Sequence, residues 1–246
     1  MIDHADSHTA VLFFSHRPER EWQNKQFVQR DYATHRRVAE VFYQHSLQAV
    51  RESGLPVLEV TDGRQRGTGF GARFANAVAD AFAAGYDRVI AVGSDCPRLH
   101  EVNWADVEQH LKGGTPVLGP TPNGDGTYLI GLCRDQFDRE QFEGLPWTTA
   151  SLLPALQQYL ERRAGGAPAF LAPRADVNDP GDLRALLRVD GGLPVGLRAQ
   201  IRDVLWADHR SVRAPVHSPQ RHVVKRRSRA PPRSLRLPPT RTVPAA

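Results

Sequence analysis

Short apolar segments alternate with longer amphipathic segments over roughly the first 190 residues of the chain. The apolar segments predict β-strands, and they lie at residues 10–15, 55–61, 88–92, 115–118, 127–132 and 169–172. The amphipathic segments show the period of helices, and they lie at residues 33–52, 70–84, 102–111, 149–162 and 180–188. This alternation predicts a three-layer α/β/α fold, in which helices cover both faces of a mostly parallel central sheet.

The hydrophobic signal fades beyond about residue 190. Within an extension at 191–210, the amphipathic pattern of residues 197–205 is long enough for one or two helical turns. From residue 211 onward the chain has seven prolines among 36 residues, and such a segment buries too little apolar surface to offset its ordering entropy. We therefore expect a flexible N-terminus at 1–9, a folded domain at 10–190, and a disordered Arg/Pro-rich tail at 211–246.

The tail also accounts for the basic character of the chain. The sequence has a net charge of +5 and a pI of about 9.6, which is typical of proteins that bind nucleic acid. Nine of the 32 Lys and Arg residues, but none of the 27 Asp and Glu residues, lie in the tail. The first 210 residues therefore have a net charge of −4. We expect no specific nucleic-acid partner, although the tail can bind polyanions without specificity.

The cysteines and the apolar segments exclude several other classes of protein. Cys96 and Cys133 form no CxxC motif and no Cys/His cluster, which excludes a disulfide scaffold and a structural zinc site. No apolar run has the length of a transmembrane helix, so we expect no membrane span. The first nine residues lack the apolar core of a signal peptide, and we expect a cytoplasmic location.

Asp95 follows the predicted strand 88–92 on a tight turn between Gly93 and Pro97. Open parallel sheets bind ligands at the carboxyl ends of their strands. A carboxylate held there suits Mg²⁺ or Mn²⁺ together with the oxygens of a phosphorylated ligand. The alternative is a carboxylate that caps the next helix or bonds to the turn backbone. The spacing alone leaves both interpretations open.

Two glycine-rich segments have a weaker signal. Residues 117–132 contain two strong turn pairs between predicted strands, which favours a plain hairpin over a ligand-binding loop. Residues 64–73 contain three glycines and three arginines at the start of a predicted helix. Backbone N–H groups there, with Arg66, Gly67 and Arg73, form a candidate anion site.

The segment 175–183 places several oxygen-bearing side chains between a predicted strand and the next helix. Asp179 is the expected N-cap of that helix, because a proline follows it at the first helical position. A metal-binding role for Asp176 or Asn178 requires that this junction face Asp95.

Four of these motifs resemble those of a bacterial family of GT-A-like transferases, described as glycosyltransferase-like or as radical-SAM/selenodomain-associated transferases. The motifs are GSDCPRL at 93–99, VLGP at 117–120 with DGTYLIGL at 125–132, LPWTT at 145–149 and ADVNDPGDL at 175–183. The resemblance extends over roughly residues 10–187 and implies the fold of the nucleotide-diphospho-sugar transferases.

The resemblance also implies roles for particular residues. It assigns a divalent cation, Mg²⁺ or Mn²⁺, to Asp95 and Asn178. It suggests Asp125 as the catalytic carboxylate, although Asp125 lies one position later than the Asp of the family pattern. Tyr128 and Trp147 would line the acceptor pocket, with core packing as the alternative for Trp147.

The chain departs from the family pattern after its first strand. Family members carry P-x-P-G-x-x-K-T-R-L there, whereas this chain has SHRPEREWQNKQFVQR at 15–30. We expect the donor nucleotide and its phosphates to be bound instead by Arg66, Gly67, Arg73 and Ser94.

The resemblance therefore implies a metal-dependent transferase with a nucleotide-activated donor and a small-molecule acceptor. A glycosyltransferase-like reaction is the first hypothesis. The second is nucleotidyl transfer, of the guanylyl or cytidylyl type, to a small phosphorylated acceptor. The altered segment at 15–30 motivates a third, in which a degenerate module binds nucleotide without catalysis.

Overall fold

The computed structural model describes residues 8–21, 27–28, 32–189 and 191–211. Six strands in these ranges form one sheet: β1 (Thr9–Phe14), β2 (Val57–Val60), β3 (Arg88–Val92), β4 (Val117–Pro120), β5 (Thr127–Cys133) and β6 (Ala169–Phe170). The strand order is β2-β1-β3-β5-β4-β6. Strand β5 pairs antiparallel with β3 and β4, and the other pairings are parallel. The predicted mostly parallel sheet is confirmed.

The same part of the chain forms eight helices: α1 (Pro18–Glu21), α2 (Tyr32–Arg51), α3 (Gly69–Ala83), α4 (Trp104–Lys112), α5 (Arg139–Glu143), α6 (Leu152–Ala164), α7 (Pro180–Arg188) and α8 (Val195–Ser211). The sequence did not predict α1 and α5, because helices of four and five residues are too short to show a 3.6-residue period. It predicted only one or two turns where α8 forms a helix of 17 residues.

Strand β1 shows how the three layers pack. All six of its residues are buried, and successive strand side chains point to opposite faces of a sheet. Leu12 and Phe14 belong to a hydrophobic cluster formed with α3, α5 and α6. Val11 and Phe13 belong to a second cluster, formed with α2 and α4 on the other face. Burial on both faces explains the continuous apolar pattern of this segment and confirms the three-layer architecture.

A third cluster attaches the C-terminal helices to α2. Leu197 and Ile201 of α8 are in one buried group with Val38 and Phe42 of α2 and with Leu183 of α7. The extension beyond residue 190 is therefore packed onto the domain by apolar contacts. Residues 1–7 and 212–246, where the sequence predicts a flexible terminus and a disordered tail, lie outside the described residues.

The sequence predicts that no helix of the chain spans a membrane. Among the residues that the structure describes, no helix combines the length and the apolar character needed to cross a membrane.

The strand directions collect several loops at one edge of the sheet. Because β1, β2, β3, β4 and β6 run in the same direction, the segments that follow them all begin at their common carboxyl edge. The loop at 121–126, between β4 and the antiparallel β5, lies at this edge as well. The turn that carries Asp95 and the junction that carries Asn178 therefore start from the same side of the domain.

Candidate functional site

The segment after β6, residues 171–179, crosses the carboxyl edge of the sheet; we call it the return segment. Its main chain is held at three points. Leu171 donates to the carbonyl of Leu118 at 2.8 Å, and Arg174 donates to the carbonyl of Pro120 at 3.1 Å. Further along, the N–H of Val177 donates to the carbonyl of Asp95 at 2.9 Å. The return segment thus extends from the sheet's outer strand to the turn after β3.

A cleft of about 840 Å³ lies at this edge. It is bounded by the turn after β3, the β4–β5 loop, the turn before α6 and the return segment. Aromatic rings form one of its walls, contributed by Phe14, Phe70, Phe74 and Trp147. Five sequence-predicted residues contribute to its lining, namely Asp95, Asp125, Tyr128, Trp147 and Asn178.

The turn that carries Asp95 is built around a glycine. A Cβ atom added at Gly93 would lie 2.9 Å from Oδ1 of Asp95, so the carboxylate occupies space that a larger residue would fill. The next two helical segments have Arg98 and Asn103 at their N-cap positions. Asp95 is therefore not a helix cap, and its carboxylate borders the cleft.

The return segment brings a second carboxylate and an amide to the same cleft. Asp176 and Asn178 both line it, and Nδ2 of Asn178 donates to Oδ2 of Asp176 at 2.7 Å. With Asp95, these groups form the kind of oxygen donor set that Mg²⁺ accepts when substrate phosphates complete its coordination. Within the described ranges, no group of three or more His, Cys, Asp or Glu side chains has a metal-binding arrangement. Asp95, Asp176 and Asn178 are therefore candidate metal ligands only together with the oxygens that a bound phosphate would add.

The helix that follows is capped as the sequence predicts. Oδ1 of Asp179 accepts the main-chain N–H groups of Gly181 at 2.5 Å and Asp182 at 3.0 Å. In return, Oδ2 of Asp182 accepts the N–H of Asn178 at 2.9 Å. These bonds satisfy the first N–H groups of α7 and hold Asn178 at the mouth of the cleft.

Asp125 lies in the loop of the predicted hairpin, which the antiparallel pairing of β4 and β5 confirms. The hydroxyl of Thr121 donates to Oδ1 of Asp125 at 2.6 Å and accepts the N–H of Gly126 at 3.0 Å. The loop is therefore both a hairpin and a part of the cleft lining.

Tyr128 lies beneath this loop. A Cβ at Gly119 would come within 2.5 Å of its ring, so the strand pair packs closely there. The Tyr128 hydroxyl donates to the carbonyl of Ala172 at 3.0 Å. Burial raises the pKa of Tyr128, so this hydroxyl stays protonated and attaches the return segment to β5.

Trp147 is packed in the core and also borders the cleft. It exposes only 9% of its surface, its ring contacts Phe70, Phe74 and Phe142, and its Nε1 donates to the carbonyl of Phe142 at 2.8 Å. The same residue borders the cleft. Thr148, which follows it, has a left-handed backbone with φ of 62°.

The residues predicted to bind phosphate lie outside the cleft lining. Arg66 forms a two-point ion pair with Asp80, at 2.6 and 2.7 Å. Gly67 has a φ of +123°, which only glycine adopts without strain. The Nε of Arg73 is buried without a hydrogen-bond partner, and Oγ of Ser94 lies 2.7 Å from Oγ of Ser15.

Two polar pairs in segments at the carboxyl edge of the sheet were not predicted from the sequence. Arg174 binds Glu101, and His16 binds Asp62 through Nδ1. Each pair joins residues that are far apart in the sequence and lie outside the four motifs. The only available signal was that parallel strands bring their carboxyl ends together, which places residues after β1 near residues after β2.

Cys96, beside Asp95, is a buried residue of the turn. Burial, helped by the charges of Asp95 and Asp176, raises the pKa of its thiol to about 12, although a main-chain hydrogen bond at Arg98 and the charge of Arg174 act in the opposite direction. A thiol with this pKa is not a nucleophile at neutral pH.

Comparisons with known proteins concern the family and the fold of the chain. The profile of a family described as "Uncharacterized protein conserved in bacteria (DUF2064)" matches residues 27–149, half of the chain. The crystal structure of a proposed nucleotide-diphospho-sugar transferase from Desulfovibrio desulfuricans G20 is 21% identical, with a TM-score of 0.58, over 83% of this chain and 98% of that chain. A hypothetical transferase from Thermus thermophilus is 15% identical, with a TM-score of 0.36, over 71% and 98%. No curated protein matches. The predicted fold and bacterial family are confirmed.

Proposed function

This chain belongs to the bacterial family DUF2064, and we propose that its cleft binds a nucleotide-activated donor through Mg²⁺ or Mn²⁺ and transfers part of that donor to a small acceptor. One observation carries the proposal. The hydrogen bond from Val177 to the carbonyl of Asp95 brings Asp95, Asp176 and Asn178 to one cleft. The protein with a similar fold is itself named as a proposed nucleotide-diphospho-sugar transferase.

The charge of the cleft supports a metal ion. Five Asp side chains line it, and no Lys or Arg of the described residues does. A nucleoside diphosphate is itself anionic, so its binding to this surface requires a cation to reduce the repulsion. A bound divalent metal would supply that charge and stabilise the phosphate leaving group. Asp95 and Asp176, with the amide oxygen of Asn178, are the residues that would hold it.

The remaining lining suits the other parts of the two substrates. Phe70 and Trp147 present apolar surface that can pack against a sugar or a base and exclude water. Asp125, with one oxygen held by the Thr121 hydroxyl, keeps its other oxygen for a substrate hydroxyl. A carboxylate so placed can accept the proton of an acceptor hydroxyl, as glycosyl transfer requires. We therefore favour a glycosyltransferase-like reaction.

Nucleotidyl transfer uses the same donor site and is the alternative. It needs positioning and charge neutralisation at the α-phosphate but no catalytic base. A small phosphorylated acceptor would then take the place of the sugar acceptor.

Product analysis with nucleotide sugars and nucleoside triphosphates separates these reactions. Release of a nucleoside diphosphate supports glycosyl transfer, and release of pyrophosphate supports nucleotidyl transfer. Nucleotide binding without either product supports a degenerate module. The donor site itself is tested by thermal unfolding with Mn²⁺ and nucleotide, because a ligand that binds the folded state raises Tm. We expect Asp95→Asn to abolish this rise, and no rise in the wild type with any nucleotide would contradict the proposal.

A further inference from the structure

Arg174 lies behind the cleft, at the middle of the return segment. Its side chain exposes only 12% of its surface, and its main-chain N–H donates to the carbonyl of Pro120. It does not belong to the cleft lining. A guanidinium with so little exposure needs partners for its charge. Its two terminal nitrogens bind another segment of the chain, whereas Nε is buried without a hydrogen-bond partner.

The main partner of Arg174 is Glu101, and the side chain of Tyr128 also interacts with its guanidinium. One guanidinium nitrogen donates to Oε2 of Glu101, and another donates to the main-chain carbonyl of Glu101 at 3.0 Å. Glu101 ends the short 3₁₀ helix Leu99–Glu101, which directly follows the Asp95 turn. The two-point contact therefore joins the segment that carries Asp95 to the segment that carries Asp176.

The contact fixes orientation as well as distance. A guanidinium that binds a side-chain oxygen and a main-chain oxygen of the same residue has little freedom to rotate. Only one residue separates Arg174 from Asp176, so the orientation of this side chain is transmitted to the carboxylate over a very short length of chain. The carbonyl of Asp95 holds the same segment again at Val177.

We propose that Arg174 is a positioning residue that, by binding Glu101, sets the spacing between Asp95 and the pair formed by Asp176 and Asn178. The inference rests on the proposed function, since this spacing matters only when these oxygens hold a metal ion. Groups that orient metal ligands from behind change metal affinity by about 10- to 100-fold when they are removed.

The test is a titration of the full chain with Mn²⁺, alone and with inorganic pyrophosphate, in which free Mn²⁺ is followed by electron paramagnetic resonance. We expect Arg174→Met to weaken Mn²⁺ binding by about 10-fold or more. Arg174→Lys keeps the charge but cannot make both contacts with Glu101. We expect the Mn²⁺ affinity of this variant to be lower than that of the wild type by about 3-fold or more. Wild-type affinity in the Lys variant would show that only the charge matters and would overturn the inference. This variant also decides the question if Arg174→Met does not fold.

Arg98→Met is the matched control. Arg98 binds the other carboxylate oxygen of Glu101, at 2.7 Å, from within the segment that carries Asp95. We expect its Mn²⁺ affinity to stay within about 2-fold of the wild type, since exposed ion pairs contribute little. Equal losses in Arg98→Met and Arg174→Met would contradict a positioning role, because general weakening of the Glu101 region would explain both.

Asp95→Asn distinguishes a failure of the inference about Arg174 from a failure of the proposed function. If the wild type binds Mn²⁺, Asp95→Asn does not, and Arg174→Met binds like the wild type, the inference fails and the proposed function stands. If the wild type binds no Mn²⁺ under either condition, both fail. Thermal unfolding without metal, measured for every variant, distinguishes a lost site from a lost fold.

Discussion

The main-chain N–H of Val177 donates a 2.9 Å hydrogen bond to the carbonyl oxygen of Asp95. The bond joins the turn after β3, near the centre of the sheet, to a segment that leaves β6 at the sheet's edge. Two strands, β5 and β4, lie between these elements. Carboxylates from both segments therefore line one cleft, and a small displacement of either one changes the geometry available to a metal ion.

Gly93→Ala would displace the Asp95 carboxylate with little effect on the fold. The new Cβ would lie 2.9 Å from Oδ1 of Asp95, whereas its next neighbours are at 3.7 and 3.8 Å. The short side chain of Asp95 can move aside, so we expect a change in Tm of about 2 °C or less. We expect the Mn²⁺ affinity to fall by about 10-fold, because metal ligands tolerate displacements of only a few tenths of an ångström.

Gly126→Ala is the control for this variant, since Gly126 lines the same cleft but a Cβ there has ordinary contacts, at 3.5 Å or more. Titration of both variants with Mn²⁺ checks the prediction. Equal affinities in the two variants would show that Asp95 does not bind the ion.

Gly71→Ala should destabilise the protein although it improves helix propensity. A Cβ at this position of α3 would lie 2.4 Å from the carbonyl oxygen of Glu143 and 2.7 Å from Cδ1 of Trp147. Overpacking of this kind costs about 1–3 kcal/mol, and the helix gains about 1 kcal/mol when Ala replaces Gly. Because the nearest atom is a main-chain oxygen that cannot rotate aside, the upper half of this cost, about 2–3 kcal/mol, applies. We therefore expect a net loss of about 1–2 kcal/mol in the free energy of unfolding, measured with urea.

Gly196→Ala in α8 provides the opposite case, because no atom lies within 4 Å of the added Cβ. It should leave the protein equally stable or slightly more stable. A Gly71→Ala protein as stable as the wild type would mean that α3 does not pack against the Trp147 turn as closely as described.

The sequence predicts those parts of the fold that depend on local pattern. Strand β1 is buried on both faces, so its residues are continuously apolar and its position is readable. The Asp179 cap is equally local, because the cap and the N–H groups that it binds are neighbours in the chain. Helix α5 leaves no such pattern, since five residues are shorter than two helical turns.

Only part of the candidate site can be predicted from residues that are neighbours in the sequence. The motifs identify Asp95 and Asn178 as candidates, but the contact that brings their segments together is a main-chain hydrogen bond at Val177. Every non-proline residue can form such a bond, so no residue type signals it. The glycines at 64–73 show that a motif can also indicate a site where the structure has another reason for the residues. Gly67 has a φ of +123°, and Gly71 packs against Trp147, so both glycines have structural roles. A glycine-rich sequence looks the same in either role.

Asp62→Asn should remove an acid-sensitive part of the stability. Burial alone would raise the pKa of Asp62, but hydrogen bonds from His16 and from the N–H of Arg17 outweigh it and lower the pKa below its ordinary value of 3.8. The ionised form therefore stabilises the fold above the pKa of the unfolded chain, and this contribution disappears as the pH falls through the lower pKa of the folded state. At pH 7 we expect Asp62→Asn to lose about 1–3 kcal/mol.

Urea unfolding between pH 3 and pH 7 measures this difference, which should shrink toward the acid end. Asp80→Asn is the control, because Asp80 is 54% exposed in its pair with Arg66, and such pairs contribute about 0–1 kcal/mol. A loss for Asp62→Asn that stays constant across this pH range would contradict the assigned protonation linkage.

Asp125→Asn separates the two proposed reactions. The amide keeps the size of the carboxylate and can still accept the Thr121 hydroxyl, which donates to Oδ1 at 2.6 Å, so the hairpin should persist. If Asp125 accepts the proton of an acceptor hydroxyl, the substitution should lower the rate of glycosyl transfer or nucleotide-sugar hydrolysis by about 10²- to 10⁴-fold. Mn²⁺ and nucleotide binding should remain unchanged, since Asp125 belongs to the β4–β5 loop and not to the proposed metal ligands.

Thr121→Val tests the positioning effect, because it removes the hydroxyl that binds Asp125 and the N–H of Gly126 but leaves the carboxylate. We expect a rate loss of about 10-fold or less, as one hydrogen bond that orients the base is worth about 1 kcal/mol. Should nucleoside triphosphates prove to be the donors, pyrophosphate release should continue at nearly the wild-type rate in Asp125→Asn, because nucleotidyl transfer depends on charge neutralisation and alignment. A large loss of pyrophosphate release in this variant would instead mean that Asp125 aligns the phosphates, and it would move this carboxylate into the donor site.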